Sequence, residues 1–130
     1  MTGKFKSSAN TAHSPKSQFY EEWSKLFLEN DVKKIIEPLD SEIEWEMVGE
    51  STMKGIDEIK KSFFNDNQDP DIKMTLMDIE NIISHGKFVS AWGTMEMSNG
   101  EKYRFSDILE FKSHKSDSKV IKIIAFVVKI

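Results

Sequence analysis

The sequence predicts one α+β domain in which a curved antiparallel sheet packs one face against helices. Three observations carry that reading. Apolar residues recur at helical spacing in the first half of the chain, alternating strands with short turns fill the second half, and 130 residues is about the length of one domain. Helices first and strands last is the order of a segregated α+β fold, not of repeating βαβ units.

Residues 1–14 are polar and small, too poor in apolar surface to offset their ordering entropy, and are expected to form a flexible N-terminal tail ahead of a domain spanning 15–130. Ser14-Pro15 then opens a helix, with Ser as the cap and Pro in the first turn. Phe19, Tyr20, Trp23, Leu26 and Phe27 form its apolar stripe, and it ends near Asn30. Asp31 caps a short second helix carrying Val32, Ile35 and Ile36, which Pro38 stops. Residues 43–48 alternate as a strand and end at Gly49. A third helix follows Gly55 with Ile56, Ile59 and Phe63 on one face, and residues 65–70 read as a loop. From Ile72 onward the pattern is a four-stranded antiparallel meander, with tight turns at His85-Gly86 and Asn99-Gly100 and a looser one over 113–118.

Along residues 103–111 the odd positions are Tyr, Phe, Asp, Leu and Phe, so the odd face is the apolar one and should meet the helices. Asp107 is the exception on that face. A carboxylate there must be hydrogen-bonded, paired or protonated, so Asp107 either braces a backbone or indole N–H or serves a functional site. A two-residue Asn99-Gly100 turn would set Trp92 opposite Asp107, Thr94 opposite Phe105 and Glu96 opposite Tyr103. The last strand is apolar on both faces, with Ile123, Ala125 and Val127 on one and Ile124, Phe126 and Val128 on the other. Either a second subunit or the sheet's own twist must cover the second face.

Composition excludes several classes. There is no cysteine, hence no disulfide, thiolate metal site or cysteine nucleophile. Eighteen basic residues against 22 acidic give a net charge of −4, against the basic footprint of a nucleic-acid binder. The longest apolar run, residues 123–128, falls far short of the ~20 residues of a membrane span. The first residues lack the apolar core of a secretory signal, so a soluble cytoplasmic domain is expected. His13, His85 and His114 have no second ligand at helical or strand spacing, so neither a metal site nor a cofactor is expected. Serine-hydrolase elbows and glycine-rich phosphate loops are missing from the sequence.

Three stretches stand out: Glu46-Met-Val-Gly49 with Gly55 and its helix, Asp107-Ile-Leu-Glu-Phe111, and Lys119-Val-Ile-Lys-Ile-Ile-Ala125. They resemble the nuclear transport factor 2-like (NTF2-like) superfamily, with its SnoaL-type cyclases and ketosteroid isomerases. The resemblance implies a cone-shaped curved sheet wrapped around three helices, an apolar pocket between them, and dimers through the outer sheet face. It places Asp107 where the isomerases hold a carboxylic acid that an apolar site keeps protonated at neutral pH. It sets Glu46 at the position of their general base and Trp23 at that of their oxyanion tyrosine.

The expected function is binding of a small hydrophobic molecule, with proton-transfer chemistry of isomerase, cyclase, dehydratase or hydrolase type on Asp107 and Glu46. The alternative is a non-catalytic ligand-binding or dimerisation module. The expected pocket residues are Trp23, Trp92, Tyr103, Phe105, Leu109, Phe19, Phe63, Ile123 and Ala125. A homodimer through Ile124, Phe126 and Val128 is the expected assembly.

Overall fold

In a computed structural model, which describes residues 3–11, 14–63 and 71–130, helices and strands are less segregated along the chain than the sequence suggests. The order is β1 (Lys4–Ser7), α1 (Pro15–Glu29), α2 (Val32–Ile36), β2 (Leu39–Met47), β3 (Ser51–Lys54), α3 (Gly55–Phe63), β4 (Met74–His85), β5 (Phe88–Met97), β6 (Lys102–Phe111) and β7 (Val120–Lys129). The loop expected over 65–70 lies outside the described residues.

The helix boundaries follow their capping chemistry. Ser14 Oγ accepts from the Ser17 N–H, and Asn30 closes α1 in the left-handed region at φ 53°. Asp31 accepts from the Lys34 N–H and starts α2. No described helix is long and apolar enough to cross a membrane.

All seven strands join one sheet in the order β1-β4-β5-β6-β7-β2-β3. The meander β4-β5-β6-β7 is antiparallel as expected, but β1 pairs parallel with β4 and β2 pairs parallel with β7. The sheet is therefore mixed. The reason is connection length: a tight turn forces antiparallel pairing, whereas these partners are joined by helix-containing crossovers that permit either direction. The loose tail also needs correction. Lys4–Ser7 forms an edge strand, half-buried Phe5 packs on the core, and the Ser8 N–H donates to the Ile79 carbonyl at 2.9 Å. One apolar residue between two lysines is a weak strand signal, yet the unpaired edge of β4 is enough to order it.

The register between β5 and β6 differs from the sequence expectation by one residue. Three residues, Ser98-Asn99-Gly100, form the turn, with the Met97 N–H donating to Glu101 O at 2.9 Å and Gly100 at φ +88°. Glycine takes the left-handed position that such a three-residue loop requires. Ala91 consequently lies opposite Asp107, Gly93 opposite Phe105 and Met95 opposite Tyr103, while Trp92 lies opposite Ser106. A slip of one residue exchanges the two faces of a strand, so Trp92 and Asp107 are on opposite sides of the sheet.

Helices pack on the face bearing the odd residues of β6. Trp23 of α1 lies 5.9 Å from Trp45 of β2, and Phe19 meets Phe111 edge-on at 5.5 Å, both measured between ring centroids. This inner face carries the buried Ile43, Trp45, Val89, Ala91, Phe105, Leu109, Ile123 and Ala125. On β7 the same alternation leaves Phe126 and Val128 exposed on the outer face.

At Gly93 a neighbouring backbone and a ring both come close on this face. A Cβ there would overlap the Asp78 carbonyl oxygen and stand 2.9 Å from Phe105 Cζ. Only a residue without a side chain fits between them. Gly93→Ala is expected to lower stability by about 1–3 kcal/mol, the usual range for overpacking. Equilibrium urea unfolding checks this, and an unchanged midpoint would contradict the packing described.

Candidate functional site

Across the inner face, exposure rises row by row from one end to the other. Val89, Leu109 and Ile123 form a sealed row, each at most 1 % exposed. The next row holds Ala91, Asp107, Ala125 and Met47. Both alanines are buried, yet Asp107 and Met47 keep part of their surface open. Beyond them come Phe105 beside the exposed Val127, then the half-buried Met95 and Tyr103. Asp107 thus stands at the boundary between packed core and an apolar, partly open end of the sheet.

Tyr20 of α1 donates its hydroxyl to Asp107 Oδ2 at 2.7 Å. Its ring is 1 % exposed, and helical spacing from Lys16 and Trp23 aims it at the sheet. Burial raises the Asp107 carboxyl to about 6, and the Tyr20 hydrogen bond pulls in the opposite direction. Tyr20 itself titrates well above an ordinary tyrosine, first through burial, then through the Asp107 charge and the shared hydrogen bond. No ion pair reaches Asp107 among the described residues; Arg104 on the same strand turns to the outer face and pairs with Glu80 at 2.6 Å. At a value near 6 the carboxyl is half protonated at that pH and about one-tenth protonated at pH 7. The group therefore exchanges between both forms close to neutrality, where a general acid or base works best.

Glu46 does not join it. It pairs with Thr52 and Ile124 on the outer face, because Trp45 and Met47 take the inward positions of β2. Among the described strand residues no second carboxylate stands on the inner face; just before β6, Glu101 reaches the Tyr103 hydroxyl at the open end and pairs with Lys129 at 2.6 Å. Trp92 likewise lies on the outer face by its register, opposite Ser106. Trp23 is inward but committed: its indole Nε1–H donates to the Ile35 carbonyl at 3.0 Å and ties α1 to α2.

Leu109 and Ile123 are core, and Phe19 packs at the sealed end against Phe111. Tyr103, Phe105 and Ala125 share the face and neighbourhood of Asp107, with the Tyr103 hydroxyl donating to Glu101 at 3.1 Å. The Phe63 side chain lies outside the described residues. Sequence reasoning missed Tyr20 as the partner of Asp107. The available signal was its place one turn before the Trp23–Ser24 pair, on the buried stripe, with a hydroxyl that must be satisfied there. Among the described residues no group of three or more His, Cys, Asp or Glu could hold a metal ion.

No family model and no curated protein matches the chain. Solved structures do. An NTF2-like protein of unknown function from Mesorhizobium loti superposes with TM-score 0.68 at 11 % identity, covering 95 % of this chain and 98 % of that one. An LEH-like epoxide hydrolase from M. tuberculosis gives 0.64 at 13 % identity, covering 88 % and 84 %. The epoxide hydrolase/cyclase-like enzyme SalBIII, described for pyran ring formation in the polyether salinomycin, gives 0.61 at 20 % identity, covering 88 % and 90 %. The chain has the NTF2-like fold.

The raised carboxyl has a consequence for stability. Native Asp107 holds its proton up to about pH 6, whereas the unfolded chain releases it near pH 4. Between these values the native state binds more protons, so this group makes stability fall as pH rises, by at most about 3 kcal/mol in total. Asp107→Asn should therefore be more stable than the wild type at pH 7, and the two should converge below about pH 4. Tyr20→Phe should move the carboxyl titration, read by carbon-13 NMR, above its wild-type value. A downward move would contradict the hydrogen bond's assigned effect.

Proposed function

We propose that this chain binds a small hydrophobic molecule in a recess over Asp107 and transfers a proton to or from it. The recess is the interior of a cone formed by the curved sheet and its helices. The observation that carries this reading is the partly buried Tyr20–Asp107 hydrogen bond at the edge of the open apolar rows. Met47, Met95, Tyr103 and Val127 supply the apolar walls, and methionine adapts readily to ligand shape.

The chemistry follows from one carboxyl poised near neutrality. Ionised Asp107 takes a proton from carbon or from a hydroxyl, and the acid so formed returns it to carbon or oxygen. Tyr20 steadies Oδ2 throughout, leaving the other carboxylate oxygen to face the ligand. That cycle serves isomerisation, cyclisation, dehydration or hydrolysis without a second residue. Two of the structural relatives carry epoxide hydrolase or cyclase names, which supports oxygen-bearing ligands. The outward position of Glu46 favours a second reading, a non-catalytic ligand-binding module in which Asp107 only anchors the ligand.

A panel of ketones, enones and epoxides separates the two. Turnover that is lost in Asp107→Asn, while ligand binding persists, supports proton transfer; binding without turnover across the panel supports the second reading. Asp107→Leu should weaken binding far more than Asp107→Asn, which keeps shape and a donor. Equal binding by both variants would contradict an Asp107 contact with the ligand.

Assembly belongs to the same proposal. Phe126 and Val128 are 40 % and 61 % exposed, and half-buried Ile124, Ile108 and Trp92 adjoin them on the outer face. Covering Ile124, Phe126 and Val128 with a second copy is worth roughly 1.5–3 kcal/mol per side chain relative to full exposure. The wild type should sediment as a dimer at micromolar concentration and Phe126→Lys as a monomer. A monomeric wild type would contradict the dimer.

A further inference from the structure

The first turn of α1, the β4–β5 turn and the β6–β7 loop enclose a surface cleft of about 340 Å³ on the far side of Phe111 from Asp107's row. Lys16, His85, His114, Ser14, Ser84 and Ser116 line it, and among the described residues no carboxylate does. Lys16 is only 7 % exposed. Its ammonium donates to the carbonyls of His114 and Lys115, each at 2.9 Å, and lies 5.1 Å from the Phe111 ring centroid. No carboxylate pairs with it among the described residues. Carbonyl dipoles and a ring face satisfy its hydrogens but leave its full positive charge uncompensated beside the cleft.

The hydroxyls point the same way. Ser17 Oγ donates to Ser84 Oγ at 3.0 Å, and one of Ser14 and Ser84 donates its hydroxyl to the other. Three hydroxyls thus make two bonds among themselves, which leaves one O–H, on Ser14 or on Ser84, without an acceptor in the cluster. Both serines line the cleft. An uncompensated buried cation, two exposed imidazoles and a spare hydroxyl donor converge from three chain segments, with no acidic group among them.

We infer that this cleft binds a phosphate group, free or as a monoester. Its oxygens, directed to four corners, can accept from the spare serine hydroxyl and from both imidazoles at once beside the Lys16 charge, whereas a planar carboxylate reaches fewer of them.

The test is a titration of the full chain with inorganic phosphate, phenyl phosphate and acetate at matched ionic strength and near-neutral pH, followed by amide NMR shifts. Saturable shifts centred on the two turns that carry His85 and His114 are expected with either phosphate. Tighter binding of phenyl phosphate identifies a monoester as the natural form, and equal or weaker binding identifies free phosphate. Both histidines are exposed, so the double variant His85→Ala, His114→Ala keeps the core intact. It should weaken phosphate binding about tenfold or more, the scale of a lost charge-assisted hydrogen bond. Shifts that stay linear like those from sodium chloride, saturation by acetate alone, or unchanged affinity in the double variant would each overturn the assignment.

Discussion

A carboxyl in the middle of an apolar strand face constrains everything around it. The pleat of β6 sends Tyr103, Phe105, Asp107, Leu109 and Phe111 to one side, and helices cover that side. A charged group so placed must find a donor, give up its charge, or keep contact with water. Asp107 does some of each: it accepts from Tyr20, its carboxyl is raised to about 6, and part of its surface stays open. The flanking Ala91 and Ala125 contribute by keeping the neighbouring positions low. The same residue thus marks both the limit of the core and the start of the candidate site.

Most of the architecture was legible because it is written in local chemistry. Ser14 and Asp31 cap helices, Asn30 ends one, and Gly86 and Gly100 turn hairpins; each acts within a few residues of itself. Inward orientation of Asp107 was legible too, since it needs only the period-two pattern of its own strand. What failed was the relation between strands. The glycine at position 100 marks a turn but does not say whether two or three residues form it, and that single count decides whether Trp92 or Ala91 neighbours Asp107. The same holds for β1, which is four residues long and owes its order to the edge of β4, some seventy residues away in the chain, whereas the equally short β3 folds back on β2 through a local turn.

The site was half legible for a related reason. Asp107 stands out as the lone charge in an apolar alternation, but its partner carries no such mark. Tyr20 sits among Phe19, Trp23 and Phe27, where a tyrosine reads as one more core aromatic. Trp23 was the natural nominee by alignment with a family motif, and its N–H proves to be spent on the Ile35 carbonyl. Glu46 shows the converse error. A motif match assigned it a role, while the alternation of β2, with Trp45 and Met47 inward, already assigned it to the other face. Where motif and pleat disagree, the pleat prevails, because burying Trp45 is worth more than any placement of an exposed-capable carboxylate.

One stripe of α1 carries three directional contacts in succession. Lys16 donates to the carbonyls of the β6–β7 loop, Tyr20 to Asp107, and Trp23 to the carbonyl of Ile35 in α2. Apolar burial alone would let a helix slide or roll over a sheet, since the hydrophobic effect has no direction. Hydrogen bonds do have one, and contacts a turn to either side of Tyr20 fix both the rotation and the axial position of the helix. The hydroxyl at 2.7 Å from Asp107 is therefore held by its neighbours as much as by its own bond. A site that needs a hydroxyl placed to a fraction of an ångström gains that placement from residues that never touch a ligand there.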